Sequence, residues 1–439
     1  MPHISLNTAA DAQTGIKKGL SLRRNFSWTL AGNVIYAGCQ WGILVVLAKL
    51  GTPDSVGQFA LGLAVAAPVF MFANLNLRAV QATDAKNSFC FEDYFKLRVV
   101  MTSLAAILIL IIIFFTKYKV ETALVVLAVA GSKSVEALSD AFYGLFQKNE
   151  SMNVIGKSMI LRGILSLTAM FLGFLVTRDV FFATLSLVFA KIIIFFFYDY
   201  PNGKRFTNGK FRLFASKNIS SYLHSLKTSK NIMKNLTLLS LPLGIVTMLN
   251  SLNTNIPRYL IEKFNGEHDL GIFAAMAYLM VAGTAIVSAL GQAASPRLAK
   301  YYSSQGSLKF VGLLVKLVGI GAVVGISGIF IIRIFGKEIL SILYRKEYSQ
   351  YNEVFLFIMI ASCLSYISSF LGVAITSARH FKVQVPIAIA SLLVVSISSY
   401  FLIPVMGIMG AAISIINMFI VQIPIKIYVI SHALRNAYA

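Results

Sequence analysis

Apolar stretches of about 20 to 27 residues recur along this chain, separated by short charged loops. They are the feature that most limits what it can become. Twelve are legible, at approximately 25–48, 57–78, 98–116, 120–146, 155–177, 180–199, 236–258, 270–295, 310–335, 352–377, 383–403 and 407–430. At about 1.5 Å per residue, each crosses ~30 Å of hydrocarbon as a helix. Runs such as Ile107–Phe115 and Ile192–Phe197 hold no charge at all. The chain is 57% hydrophobic with mean hydropathy +0.76, more apolar sequence than a soluble core needs. The expected fold class is an all-α polytopic membrane protein.

The net charge of +22 is explained by topology rather than by nucleic acid. With the N-terminus in the cytoplasm, 26 of the 39 Lys and Arg residues fall in loops or span ends on the cytoplasmic side and 10 on the other. That is the positive-inside bias, and miscounting one span would scramble it. Only Lys133, Lys191 and Lys316 then lie within spans. Lys191 and Lys316 are near span ends, where a long side chain reaches the interface. Both termini are expected in the cytoplasm, and the first 24 residues show no cleavable signal. Cys39, Cys90 and Cys363 are far apart and form no metal or disulfide pattern. No metal site or cofactor is expected.

The domain reading follows. Residues 1–24 are a cytoplasmic tail, 25–199 a first six-helix bundle, 200–235 a basic linker, 236–430 a second bundle and 431–439 a C-terminal tail. Within the linker, Ile219, Tyr222, Leu223 and Leu226 share one helical face that suits the membrane surface. Gln81–Lys96 reads as another short interfacial helix. The halves are weakly related: Gly57-Gln-Phe-Ala60 opens span 2 and Gly271-Ile-Phe-Ala274 opens span 8. Phe142-Tyr-Gly144 ends span 4 and Phe370-Leu-Gly372 ends span 10, and on that register Lys133, Glu136 and Asp140 meet Ala361, Leu364 and Ser368.

Lys133, Glu136 and Asp140 are spaced i, i+3, i+7, so they share one face of span 4. One charge at the bilayer centre costs about 2.5–3.5 kcal/mol. This face should therefore look into protein or a water-filled cavity. Two readings fit, an internal Lys–Glu structural pair or part of a transport pathway. Glu136 and Asp140 are the only acids placed within a span. Span 7 adds Asn250, Asn253, Thr254 and Pro257 on one face, either lining a cavity or bonding between helices. Arg258 closes that span, Arg78 closes span 2, and Asn33 and Gln40 share a face of span 1.

Four stretches together carry a resemblance: LRAVQATDAK (77–86), KSVEALSDAFYGLFQK (133–148), LPLGIVTMLNSLNTNIPRYLIEKF (241–264) and GIFAAMAYLMVAGTAIVSALGQAASPRLAKYY (271–302). The chain resembles the polysaccharide transporters, or O-antigen-type flippases, of the multidrug/oligosaccharidyl-lipid/polysaccharide (MOP) superfamily. The resemblance implies two six-helix bundles in a V around a central cavity. It implies alternating access that moves an undecaprenyl-diphosphate-linked oligosaccharide across the bacterial inner membrane for surface polysaccharide biosynthesis. A proton or sodium gradient would drive it. Membrane lipid and polysaccharide polymerase machinery are the further implied partners. Carried onto this chain, Lys133 and Arg258 would contact diphosphate or sugar, with Arg78 and Arg297 at a vestibule. Glu136 and Asp140 would couple or gate.

The alternative within the superfamily is an ion-coupled multidrug or organic-cation exporter. It fits less well, because the deepest charge includes a lysine. An enzyme is not expected. The largest outward loop, at about 333–353, is short, and no GxxxxGK[ST] phosphate loop occurs.

Overall fold

The computed structural model describes residues 22–84, 88–209, 211, 230–303, 307–378 and 380–438. Among them every regular element is helical. The first half holds α1 (Leu22–Leu50), α2 (Pro53–Ala73), α3 (Leu77–Thr83), α4 (Phe91–Thr116), α5 (Val120–Lys148), α6 (Met152–Thr177), α7 (Val180–Ile194) and α8 (Tyr200–Phe206). The second half holds α9 (Lys230–Asn265), α10 (Glu267–Ser303), α11 (Ser307–Leu343), α12 (Asn352–Ser377) and α13 (Gln384–Tyr438).

Local chemistry sets the boundaries. Thr52 opens α2, accepting from the Ser55 amide at 3.3 Å, and Pro53 occupies the first turn where no donor is needed. Asp179 opens α7, accepting from the amides of Phe181 and Phe182. Lys117 and Arg178 end α4 and α6 in the left-handed region.

Among the described residues ten helices are long and apolar enough to cross a membrane. One of them is α13, at 55 residues far too long for a single crossing. Gly407, with φ 56° and ψ −137°, breaks it into limbs 384–406 and 408–438. The 37-residue α10 is not among the ten, yet it runs through the middle of the molecule. With α7 and α8 taken as one limb, twelve long helical limbs result, six per half.

Within the first bundle α1 packs on α6, α2 and α4 on α5, and α5 and α6 on α7. Within the second, α12 packs on α10, α11 and α13, and α9 packs on α13. The bundles meet where α2 lies against α9 and α10 and α1 lies against α10. Side chains such as Phe114, Phe115, Val176, Phe197 and Val405 stay exposed on the outside. So much exposed apolar surface belongs in a bilayer. The architecture is a two-bundle, all-helical membrane protein.

The cross-bundle contacts concentrate at the end of the α1–α2 turn, the Gly51 end. There Trp41 Nε1 donates to Tyr344 OH at 3.4 Å, and Tyr344 OH donates to the Ala275 carbonyl at 2.7 Å. Arg345 donates to the Lys49 carbonyl at 3.2 Å, and Thr122 donates to Glu267. One core cluster runs across both halves here, from Val56, Phe59 and Leu61 to Ile272, Phe273 and Ala274. Toward the opposite end, named here for Asn74, contact continues on the α2–α9 side, where Thr247 Oγ1 donates to the Met71 carbonyl at 3.1 Å.

Several sequence expectations need correcting. Span 2 is not one helix to residue 78: Leu75 and Asn76 both take φ 49°, and the chain restarts as α3. The proposed 81–96 interfacial helix does not form as a unit. Gln81 is buried in α3, and Phe91–Lys96 are the first turns of α4. Described helix also occurs outside the expected spans: α8 covers Tyr200–Phe206, α9 is described from Lys230, and α13 is described to Tyr438. The stretch Ile219–Leu226, expected as a surface helix, and residues 1–21 of the N-terminal tail lie outside the described residues.

Candidate functional site

The second half of α5 collects charges from four neighbouring helices. Glu136 Oε2 accepts from Lys133 Nζ at 3.2 Å and from Lys191 Nζ, on α7, at 2.9 Å. Lys191 does not reach the interface as expected; it is 2% exposed. The Glu136 carboxylate offers its ammonium a charged partner, which the apolar α7 surroundings do not. Lys133 and Glu136 therefore do pair, and both also face open space, each with 28% of its side chain exposed.

One turn further, Asp140 accepts from Arg98 at 2.9 Å and lies 3.6 Å from Arg78. Arg98, on α4, is fully buried. It also donates to the Asn74 carbonyl at 3.2 Å and to the Asn74 side-chain oxygen. These bonds satisfy the polar groups freed where α2 breaks. The break lets α3 turn Arg78 back toward α5. Its Nε donates to Gln147 at 2.9 Å, and its guanidinium sits 5.5 Å from the Tyr143 ring centroid.

Arg162, on α6, also lies over Tyr143, at 5.3 Å, and pairs with Asp199 at 2.6 Å. Ser158 Oγ donates to Asp199 at 2.5 Å and meets Tyr143 OH at 2.7 Å. Asp199 is fully buried in a π-helical turn, Phe195–Asp199, between α7 and α8. Such turns re-aim a side chain and recur at functional sites.

These groups enclose a cavity of about 220 Å³. Its polar walls are Tyr36, Asn74, Arg78, Lys133, Glu136, Asp140, Tyr143 and Arg162, and its apolar walls include Ala67, Phe70 and Met71. Five cations (Lys133, Lys191, Arg162, Arg98, Arg78) face three carboxylates (Glu136, Asp140, Asp199) in this network. The surplus is positive, and low dielectric magnifies its pull on an anion.

Of the residues named from sequence, the structure brings together Lys133, Arg78, Glu136 and Asp140. The others lie elsewhere. Arg258 donates to Asn255 at 3.2 Å and stands 6.0 Å from the Tyr278 ring centroid on α10. Arg297 is exposed on α10 and Asn33 is exposed on α1. Asn250 lines a separate cavity in the second bundle, and Asn253 is 5% exposed with its Oδ1 lacking a hydrogen bond.

Sequence reading missed Arg162, Arg98, Lys191 and Asp199. In the sequence Arg98 and Arg162 read as loop or span-end bases, and Asp199 as the end of span 6. The signal available was depth: Arg162 stands ten residues into α6, too far for a loop.

The comparisons with known proteins agree with this architecture. Residues 22–302 match the family model described as polysaccharide biosynthesis protein. The chain is 30% identical over 393 residues to the capsular polysaccharide biosynthesis protein CapF of Staphylococcus aureus, covering 89% of this chain and 95% of that protein. Its fold is similar to an inward-facing multidrug-resistance MATE family transporter of the MOP superfamily, with TM-score 0.62, 14% identity and 96% and 97% of the two chains covered. It is similar too to the Vibrio cholerae MATE transporter VcmN, with TM-score 0.60, 14% identity and 95% and 97% covered. This chain therefore belongs to the polysaccharide biosynthesis protein family, and its many-helix membrane fold is that of MOP-superfamily transporters.

Proposed function

We propose that this protein is a flippase, carrying an undecaprenyl-diphosphate-linked oligosaccharide from the inner to the outer leaflet of the bacterial inner membrane. The reading rests on the cation surplus of the first-bundle cavity. A diphosphate head cannot cross hydrocarbon unaided, because its charges would lose their water. Lys133, Arg78 and Arg162 stand on the cavity wall where such a head would be met. The polyprenyl tail stays in lipid while the head occupies the cleft. An organic cation would be repelled by the same surplus, which disfavours the drug-exporter alternative. The chain acts as a carrier and not as an enzyme.

The Asn74 end faces the cytoplasm in this reading, with both termini on that side, in keeping with the positive-inside bias. Closure at the Gly51 end then makes this the form that loads from inside. Glu136 and Asp140 serve as gating acids. In the empty cavity they hold the cations. An arriving diphosphate competes for those cations and leaves a carboxylate unpaired. That carboxylate is the acceptor for a coupling proton, which is released when the head departs. Uptake by a subsequent polysaccharide polymerase would consume the exported unit.

The test is translocation in sealed liposomes with a labelled lipid-diphosphate oligosaccharide and an imposed proton or sodium gradient. Flipping by the unmodified protein that falls at least about tenfold in Lys133→Ala and Arg78→Ala supports the reading. Flipping unchanged in both removes the cavity from the pathway. Export of an organic cation with no flipping overturns the proposal.

A further inference from the structure

The second bundle contains a larger cavity, of about 490 Å³. Its walls differ in kind from those of the first. Asn250, Ser288, Ser295, Ser369, Thr376 and Gln422 contribute hydroxyls and amides from α9, α10, α12 and α13. Among the described residues one charge lines it, Lys426, on the second limb of α13. Lys426 Nζ donates to the Ser368 carbonyl at 3.0 Å, to Ser368 Oγ at 2.8 Å and to Gln422 Oε1 at 3.2 Å. Among the described residues no carboxylate lies within 4.0 Å of it. Gln422 in turn donates to Ser391 at 2.9 Å, which fixes its oxygen toward the lysine.

Ser368 occupies the position that matches Asp140. In the first bundle that position supplies a carboxylate to two arginines. In the second it supplies a hydroxyl, so the lysine keeps its charge for something else. A half-buried ammonium without a counter-ion is costly unless an anion completes it.

We propose that this cavity is a sugar subsite in which Lys426 recognises a carboxylate on the glycan, so that the protein selects acidic saccharides. The inference rests on the flippase reading for its substrate, a lipid-linked glycan. Hydroxyl and amide walls suit sugar hydroxyls, each bond being directional and selective. A single cation matches a singly charged carboxylate. A diphosphate finds its better match among the several cations of the first bundle. The shared chemistry is anion recognition, and its source is either the sugar or the lipid diphosphate.

Calorimetry on the full-length protein in detergent separates the two. The probes are free glucuronic, galacturonic and mannuronic acid oligosaccharides, their carboxyl-reduced counterparts, and pyrophosphate, all at low ionic strength. The unmodified protein is expected to bind at least one acidic oligosaccharide ten times more tightly than its reduced form. Lys426→Gln erases that preference without changing affinity for the reduced form or for pyrophosphate, while Lys426→Arg retains it. If Lys426→Gln does not fold, Gln422→Glu places a carboxylate beside the lysine and must abolish the preference as well. No preference in the unmodified protein overturns the proposal. So does a Lys426→Gln effect confined to pyrophosphate, which assigns the lysine to the diphosphate. An equal loss for acidic and reduced sugars marks a structural pin and overturns it too. Liposome flipping is scored separately. Absent flipping with an intact Lys426-dependent preference sinks the flippase reading alone; intact flipping without the preference sinks this one alone.

Discussion

Gly57 on α2 and Gly271 on α10 cross with their backbones in contact. A Cβ placed on Gly271 would lie 2.9 Å from the Gly57 nitrogen and 1.9 Å from the Pro53 carbonyl oxygen. One placed on Gly57 would lie 1.8 Å from the Glu267 carbonyl oxygen. These glycines open the two matching Gly-x-Phe-Ala motifs, so the related stretches of the two halves are also where the halves touch. Only a residue without a side chain allows helices to approach so closely.

Gly57→Leu and Gly271→Leu should therefore part the bundles at this end. Each is expected to destabilise the closed contact by about 1–3 kcal/mol, the usual range for overpacking. The check is a cysteine introduced at Ala275, which is fully buried there. It should resist maleimide in the parent and react in either leucine variant. Equal protection in all three would show that the contact tolerates the side chain.

Arg162 and Asp199 are both almost wholly buried, at 2% and 0% side-chain exposure. Arg162→Leu alone should cost about 3–5 kcal/mol, because it strands a carboxylate in the core. The double variant Arg162→Leu with Asp199→Leu should recover most of that loss. Thermal unfolding in detergent measures both. A double variant no better than the single would show that Arg162 contributes more by packing on Tyr143 than by its charge.

Glu136 competes with any incoming anion for Lys133 and Lys191. Glu136→Gln keeps the shape and removes the competing charge. Pyrophosphate should then bind up to about tenfold more tightly, roughly 1.4 kcal/mol, while translocation slows. Tighter binding with slower transport is the signature of a gating acid. Weaker binding in Glu136→Gln would instead mean that the acid positions the lysines for the anion.

Cys90 offers a test of sidedness in the unmodified chain. It is exposed at the Asn74 end, whereas Cys39 and Cys363 are buried. A membrane-impermeant maleimide should label it from the cytoplasmic face and not from the other. The Asp93 carboxylate bonded to the thiol, then burial and the charges of Asp93 and Glu92, hold the Cys90 thiol above its ordinary value. The thiolate is the reactive form, so labelling should be slow at neutral pH and accelerate as pH rises through the shifted value. Asp93→Asn should bring that acceleration to lower pH. Labelling from the outer face alone would invert the proposed topology.

The charged face of α5 was legible because periodicity alone places Lys133, Glu136 and Asp140 together. Their partners were not. Lys191 is 55 residues from Glu136, and Asp199 is 37 from Arg162. Nothing local in either stretch says which helix will be its neighbour. Lys426 was hidden in another way. It sits near a chain end, where a basic residue is ordinarily an interface anchor. Only packing shows it turned inward onto Ser368.

By itself the sequence determined the solvent and the number of crossings, since backbone groups in hydrocarbon must be satisfied within helices of a set length. It also determined the orientation to be expected, through loop charge, and the helix that carries acids into the membrane. Tertiary structure decided which charges cancel. Arg98, Arg162 and Lys191 turn from presumed surface bases into buried partners of Asp140, Asp199 and Glu136. It also left the first bundle's cavity network with more cations than acids and lined the second bundle's cavity with a single lysine among hydroxyls and amides. The physical reason is that the cost of a charge in a membrane depends on what stands within a few ångströms of it, and those neighbours come from distant parts of the chain.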